Sequence, residues 1–237
     1  FSSGEIEKQL TSCGAIFLKL GESELIEEVA EALANEKAVG WMNGRMEFGP
    51  RALGGRSIIA DPRSPKMQKQ LNLKVKFREN FRPFAPSVLA EDVHDWLDIE
   101  CDSPYMLLVA NVRAEKCIEM SEIENNLFGI DKLNVQRSSI PAITHVDYSA
   151  RIQTVSSQTN ARFHSLIEKF KEKTGVPILV NTSFNVRGEP IVCTPTDAFK
   201  CFMGTDLDLL VVGDFLLSKE DQQESLSENY IDHYELD

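Results

Sequence analysis

From Ser23 to Asn35 the apolar residues Ile26, Val29, Ala30, Leu33 and Ala34 recur at the three-and-four spacing of one helix face, with acids on the other face and Ser23 as the expected cap. The same period across Asn160 to Thr174 sets Phe163, Leu166, Ile167 and Phe170 on one side, and Gly175-Val-Pro supplies a stop. A further helix is expected from Pro195 to Met203. Short apolar runs between these read as strands: Ala38 to Met42, Tyr105 to Val112 as a buried strand, Ile178 to Asn181, and Leu207 to Val212 with an extension through Leu217. Helices alternating with such strands predict an α/β fold, with one sheet covered on its faces.

Other stretches are less regular. Ser64-Pro65 reads as a cap with proline in the first turn, and Met67, Leu71 and Val75 form a stripe, so a helix is expected from Pro65 to Val75. Leu71, Leu73, Val75 and Phe77 also alternate with polar residues, which leaves a strand open. Phe81 to Leu89 holds Pro83 and Pro86 and suits an edge or irregular strand. Arg45 to Arg56, broken by Gly49, Pro50, Gly54 and Gly55, is read as loop, and so is Ile140 to Val155. Arg113 to Ser139 has no period. Residues 1–218 are accordingly expected to form one domain, with 113–139 as an insertion and 219–237 as an acidic tail that is a surface helix or a frayed end.

The 237 residues are 42% hydrophobic, enough for a substantial core. No apolar run reaches membrane-spanning length, and FSSGEIEKQL lacks the features of a secretion signal, so a cytoplasmic protein without a membrane partner is expected. A first residue of Phe1 rather than Met points to a piece of a longer polypeptide. The five cysteines are scattered and the four histidines lack ligand spacing, which reads as reduced core thiols and no metal site within the chain.

Charge changes the picture. Between Arg45 and Arg82 ten basic residues face three acidic ones, a local +7 in a chain of −12, so the remainder sums to −19. Positive charge confined to one segment of an acidic chain focuses on a small anion and disfavours nucleic acid as a partner. Arginine's planar fork matches phosphate and carboxylate oxygens, and glycine-rich loops let backbone amides join it. Arg45, Arg51 and Arg56 sit in such a loop, either as anion ligands or paired with Glu47, Asp61 and Glu79.

Two polar turns add candidates. Asn181-Thr-Ser-Phe-Asn-Val-Arg-Gly-Glu-Pro follows an apolar strand and suits phosphate or a nucleobase, or is an ordinary connection whose side chains satisfy local backbone. Ser183 has no triad partners nearby and reads as a hydrogen-bonding group, not a nucleophile. In His145-Val-Asp-Tyr-Ser-Ala-Arg151, Arg151 is the member expected to matter; Asp206 and Asp208 read as solvated strand ends.

GRMEFGPRALGGRSIIADPR, LNLKVKFRENFRPFAPSVL, HVDYSARIQTV and NTSFNVRGEPIVCTPTDA, in this order, resemble the C-terminal half of the O-carbamoyltransferases that act on antibiotics and nodulation factors. Lys76-Phe-Arg78 and Ser183-Phe-Asn185 are similar to the Lys-x-Arg and Ser-x-Asn signature of YrdC-like proteins. The resemblance implies a YrdC-like open twisted mixed sheet, with helices on its faces, around a cationic hollow. It implies that carbamoyl phosphate yields carbamate, which attacks the α-phosphate of ATP to give carbamoyl-adenylate and pyrophosphate, with Mg²⁺ on the triphosphate. Transfer to a hydroxyl acceptor would follow in an N-terminal Kae1-like domain that this chain does not contain. Arg51, Lys76, Arg78 and Arg82 match the family's cationic motifs, Arg151 another, and Ser183 and Asn185 the turn that holds carbamoyl phosphate or nucleotide. The family usually has Gly-Thr where this chain has Tyr148-Ser149. Rival readings are a nucleotide- or anion-binding module without catalysis and an RNA-binding YrdC-like domain.

Overall fold

The computed structural model describes residues 1–79, 82–133 and 135–226. Its strands are β1 (Leu18–Lys19), β2 (Val39–Met42), β3 (Arg56–Ala60), β4 (Ala85–Leu89), β5 (Leu108–Asn111), β6 (Ser149–Val155), β7 (Ile178–Ser183), β8 (Leu209–Val212) and β9 (Phe215–Ser218). They form one mixed sheet in the order β1-β9-β8-β2-β3-β7-β4-β6-β5, with β2–β8 and β4–β6 parallel and the other pairs antiparallel. The helices are α1 (Ser3–Ser12), α2 (Glu22–Ala34), α3 (Met67–Gln70), α4 (Glu122–Asn125), α5 (Ile130–Leu133), α6 (Ala161–Thr174) and α7 (Pro195–Met203). The expected α/β class is what the chain adopts.

The amphipathic helices cover the sheet. Helix α6 buries Phe163, Leu166, Ile167 and Phe170, packs on α2, and lies against β4 and β7. Each such side chain contributes on the order of 1.5–3 kcal/mol of burial. Asn160 caps α6 through Phe163 N, and Gly175, at φ 77°, ends it in the left-handed conformation. Helix α7 packs on α1 and against β2 and β8, and Thr194 with Asp197 forms its capping box.

Several expectations are corrected. Helix α2 begins one residue before Ser23, with Gly21 at the cap. The Pro65 to Val75 helix is a four-residue α3 followed by a π-helix over Leu71–Val75, and the strand alternative fails. Ser64 caps nothing; its hydroxyl donates to Glu36 Oε2 at 3.1 Å. Strand β4 is central, not an edge, and proline is tolerated because pairing with β6 starts only at Ser87, one residue past Pro86. Phe81 lies outside the described residues. The apolar run Tyr105 to Val112 yields β5, which is an edge strand with Leu108 and Val109 exposed, not a buried one. Strands β3 and β6 form within stretches read as loop or left unread, and α1 lies in the unread N-terminus. The acidic tail starts tied down: Gln222 is buried and bonds both the N–H and the C=O of Ile16, while residues 227–237 lie outside the described set. All five cysteines are free, but only Cys201 is a buried core thiol; Cys101 and Cys193 are exposed.

Register places one end of this sheet at the centre of interest. Met42 pairs with Arg56, Ser57 with Ser183, and Asn181 with Ala85. The end of β2, the start of β3, the end of β7 and the starts of β4 and β6 therefore coincide. The β2–β3 loop, the segment entering β4 and the turn after β7 all leave from this end.

Candidate functional site

Residues Leu71–Val75 widen from α-helix into π-helix, a distortion frequent near functional sites. It buries Asn72 and Val75, leaves Leu73 outside, and hands the chain to Phe77, whose φ of 46° is unusual for a large side chain. That reversal sends Lys76 and Arg78 in different directions. Lys76 is buried and its Nζ donates to Asn185 O (2.6 Å), Asn185 Oδ1 (2.7 Å) and Ser183 O (2.8 Å), with Ser183 Oγ at 3.3 Å. Three N–H donors thus meet four neutral oxygens. Burial first, and the Arg78 charge second, push its pKa down to about 7, while the surrounding carbonyl dipoles favour the ammonium.

Arg78 turns back on its own helix. Its Nε donates to Asn72 Oδ1 at 2.7 Å, its guanidinium stands 5.1 Å from the Phe84 ring centroid, and burial followed by the Arg82 charge lowers its pKa to about 10. Asn72 also donates to Arg82 O at 2.8 Å, so one buried amide aligns both arginines. Arg82 is half exposed and pairs with Glu79 at 3.1 Å.

The turn after β7 is closed from within. Ser183 Oγ donates to Asn185 Oδ1 at 2.6 Å, Asn185 Nδ2 to Glu189 O at 2.6 Å, and Val186 N to Glu189 Oε2 at 2.8 Å. Phe184 fills the core beneath, against Gly40. Arg187 N reaches Lys76 O at 3.2 Å and ties the turn to the basic segment.

A second group forms on β6 and the β2–β3 loop. Asn181 Nδ2 donates to Ser87 Oγ, Gln153 Oε1 and Ala52 O, and Gln153 Nε2 to Leu53 O. This amide and hydroxyl cluster pins the loop that carries Arg51 onto the sheet, two residues along β6 from Arg151. Burial, with the Arg51 charge added, lowers the Arg151 pKa, and its buried Nε has no hydrogen-bond partner. Gly54 permits the loop's approach: its φ is 102°, and a Cβ there would stand 2.6 Å from Phe163 Cδ1.

The structure thus brings together Lys76, Arg78, Ser183 and Asn185, with Arg82 beside them, and separately Arg51 with Arg151, at one end of the sheet. Arg45 is exposed in the same loop. Arg56 is not an anion ligand: it is buried and donates to the carbonyls of Gly55 (2.8 Å), Gly44 (3.2 Å) and Cys193 (3.4 Å). Glu47 is held by backbone, its Oε1 taking Leu53 N at 2.6 Å and Gly55 N at 2.8 Å, and its charge acts on the buried Arg56, countering part of the burial that lowers that arginine's pKa. His145 and Asp147 fold onto Ser149 as a local knot; burial before all else keeps the imidazole pKa low. Asn72 and Gln153 position this site without having been singled out from sequence; Asn181 and Glu189 lie within the polar turn read from sequence, and Glu47 figures in that reading only as an arginine partner.

Residues 30–219 match the family model described as carbamoyltransferase C-terminus. An uncharacterized protein of Synechocystis is 53% identical across 100% of this chain and 39% of its own length. Nodulation protein NolO of Bradyrhizobium diazoefficiens is 44% identical across 83% of this chain and 33% of its own. Nodulation protein NolNO of Sinorhizobium fredii is 42% identical across 92% of this chain and 30% of its own. The chain thus spans between three and four tenths of the length of these relatives. The crystal structure of full-length HypF in its phosphate- and nucleotide-bound form superimposes on 81% of the chain and 25% of its own, with a TM-score of 0.51 at 17% identity, a likeness of fold. With most of its length inside the family model, the chain belongs to the carbamoyltransferase C-terminus family.

Proposed function

We propose that this chain binds carbamoyl phosphate and ATP and forms carbamoyl-adenylate, the carbamoyl group then passing to a hydroxyl acceptor on an N-terminal Kae1-like portion of a longer polypeptide. The observation that carries the reading is the convergence of Arg78, Arg82, Arg51 and Arg151 on one sheet end, in a chain whose remaining charge is negative. Four guanidinium groups share that end; Arg82 alone of them has a salt bridge among the described residues, to Glu79, and Arg151 keeps a buried Nε unpaired. Such an array favours a polyanion, and two phosphorylated substrates supply one.

In this reading Arg78 and Arg82 hold phosphoryl oxygens of one substrate, and Arg51 and Arg151 those of the other. Water attacks carbamoyl phosphate and its bond to the phosphoryl group breaks, releasing phosphate and carbamate; a carbamate oxygen then forms a bond to the α-phosphorus of ATP as the bond to pyrophosphate breaks. The side chains orient the two anions and stabilise charge on the transferring phosphoryl group. Ser183 is read as a hydrogen-bonding group and not a nucleophile, because its hydroxyl proton is committed to Asn185 Oδ1 and the neighbouring Lys76 Nζ, 3.3 Å away, is held as a donor to three other oxygens. Lys76 acts by holding the Ser183–Asn185 turn, its donors being fully engaged.

Mg²⁺ would screen the triphosphate charge. The site's cations and amides suit phosphate oxygens as its ligands in place of protein carboxylates, and among the described residues no group of three or more His, Cys, Asp or Glu side chains converges. Calorimetric titration with carbamoyl phosphate tests the reading: saturable binding that is weakened in Arg78→Ala and Arg151→Ala supports it, and an absence of binding to the folded chain removes it.

A further inference from the structure

Apolar exposure is concentrated beside this site. Among the described residues, eight of the fourteen exposed large apolar side chains lie between Tyr105 and Val146, the segment that builds β5 and the excursion after it. Val109 is 60% exposed and pairs directly with Arg151, and Leu107, 77% exposed, precedes it on the same face. The face that carries Arg151 and Gln153 under the Arg51 loop therefore runs sideways onto bare Leu107 and Val109. The loop itself presents Phe48 fully to solvent, with Met46 part-exposed behind it. A patch of this kind on a terminal strand marks an interaction surface.

The relatives indicate what covers it. The chain spans only 39%, 33% and 30% of their lengths, and the family it matches is a C-terminus, so their additional length lies ahead of the matched part. Phe1 lies in a crevice with Asn43, Gly44, Gly213 and Asp214, so it stands at the same end of the strands as the site, on the β2–β8 side of the sheet. Arg151 Nε, buried and without an acceptor, adjoins the patch. We propose that the Leu107–Val109 face of β5, together with Phe48, is the docking surface for the preceding portion of the longer polypeptide, which closes the open flank of the Arg51–Arg151 site. This rests on the reading that transfer is completed on that portion.

Amide hydrogen exchange tests it, comparing this chain alone with the same chain carrying, ahead of Phe1, the preceding portion of the Synechocystis relative. Exchange at residues 107–111 and 46–48 is expected to slow by about tenfold or more in the joined protein, and Leu107→Asp with Val109→Asp to reverse this. Both side chains are exposed, so the thermal midpoint of the isolated double variant is expected to stay near that of the parent. Equal exchange in the two proteins overturns the proposal. So does slow exchange in the isolated chain that fades on dilution, which would seat a second copy on β5. Carbamoyl phosphate titrations on the same samples separate the two claims: binding without protection removes the docking surface alone, and protection without binding removes the functional reading alone.

Discussion

Lys76 Nζ sits 2.6 Å from Asn185 O and 2.7 Å from Asn185 Oδ1, so the lysine of the basic segment is spent on the shape of the turn after β7. Replacing it by methionine would leave the carbonyls of Ser183 and Asn185 without their donor. Hydrogen bonds to a charged group are worth roughly 1.5–3 kcal/mol each and are not additive, so Lys76→Met is expected to cost about 2–4 kcal/mol in urea denaturation. It should also weaken carbamoyl phosphate binding. Unchanged stability would mean that these contacts do not hold the turn.

The same burial sets a pH dependence. Folded Lys76 titrates at about 7, well below the roughly 10.4 of an unfolded lysine. Between those values the unfolded chain binds the additional proton, so this residue's contribution to stability rises as pH increases through the window. A bound anion favours the charged form, so its affinity is expected to fall above pH 7, with proton uptake on binding at pH 8 and little at pH 6. Titration in two buffers of different ionisation enthalpy measures the uptake, and Lys76→Met should abolish it.

Gly40 and Phe184 test how the core sets the turn. A Cβ on Gly40 would stand 2.6 Å from Phe184 Cζ, and Phe184 lies between Ser183 and Asn185. Gly40→Ala is expected to cost on the order of 1–3 kcal/mol through overpacking. It should also weaken anion binding, although residue 40 touches no ligand. A destabilised variant with full affinity would separate the packing from the site.

Legibility followed the physics of each segment. Helices α6 and α7 end at the caps and stops their sequences carry, and α2 could be read from its period alone, although its cap is Gly21 and not Ser23. Strand β6 escaped because its buried Gln153 and Thr154 are polar, and only partners distant in sequence explain their burial, Ser87 and Asn181 for Gln153 and Ser103 for Thr154. Strand β4 was misplaced because a proline count carries no information on where pairing with β6 begins. The exposure of β5 depends on what lies beside it, which an apolar run does not encode. At the site, residue types were legible and roles were not: Arg51 and Arg56 look alike in sequence, yet one meets solvent and the other spends its donors on backbone carbonyls.

Arg82 offers the contrasting case of a half-exposed cation. Its pairing with Glu79 at 3.1 Å is partly solvated and is worth less than about 1 kcal/mol. Arg82→Ala is therefore expected to leave the thermal midpoint almost unchanged while lowering carbamoyl phosphate affinity by about tenfold, the scale of one lost charge-assisted contact. Equal affinity by calorimetry would assign Arg82 to the surface.

The most direct measurement is exchange of labelled pyrophosphate into ATP by this chain, with Mg²⁺ and carbamoyl phosphate. Formation of carbamoyl-adenylate predicts exchange that requires carbamoyl phosphate and is lost in Arg78→Ala. A folded chain that binds both substrates yet shows no such exchange would contradict adenylate formation here.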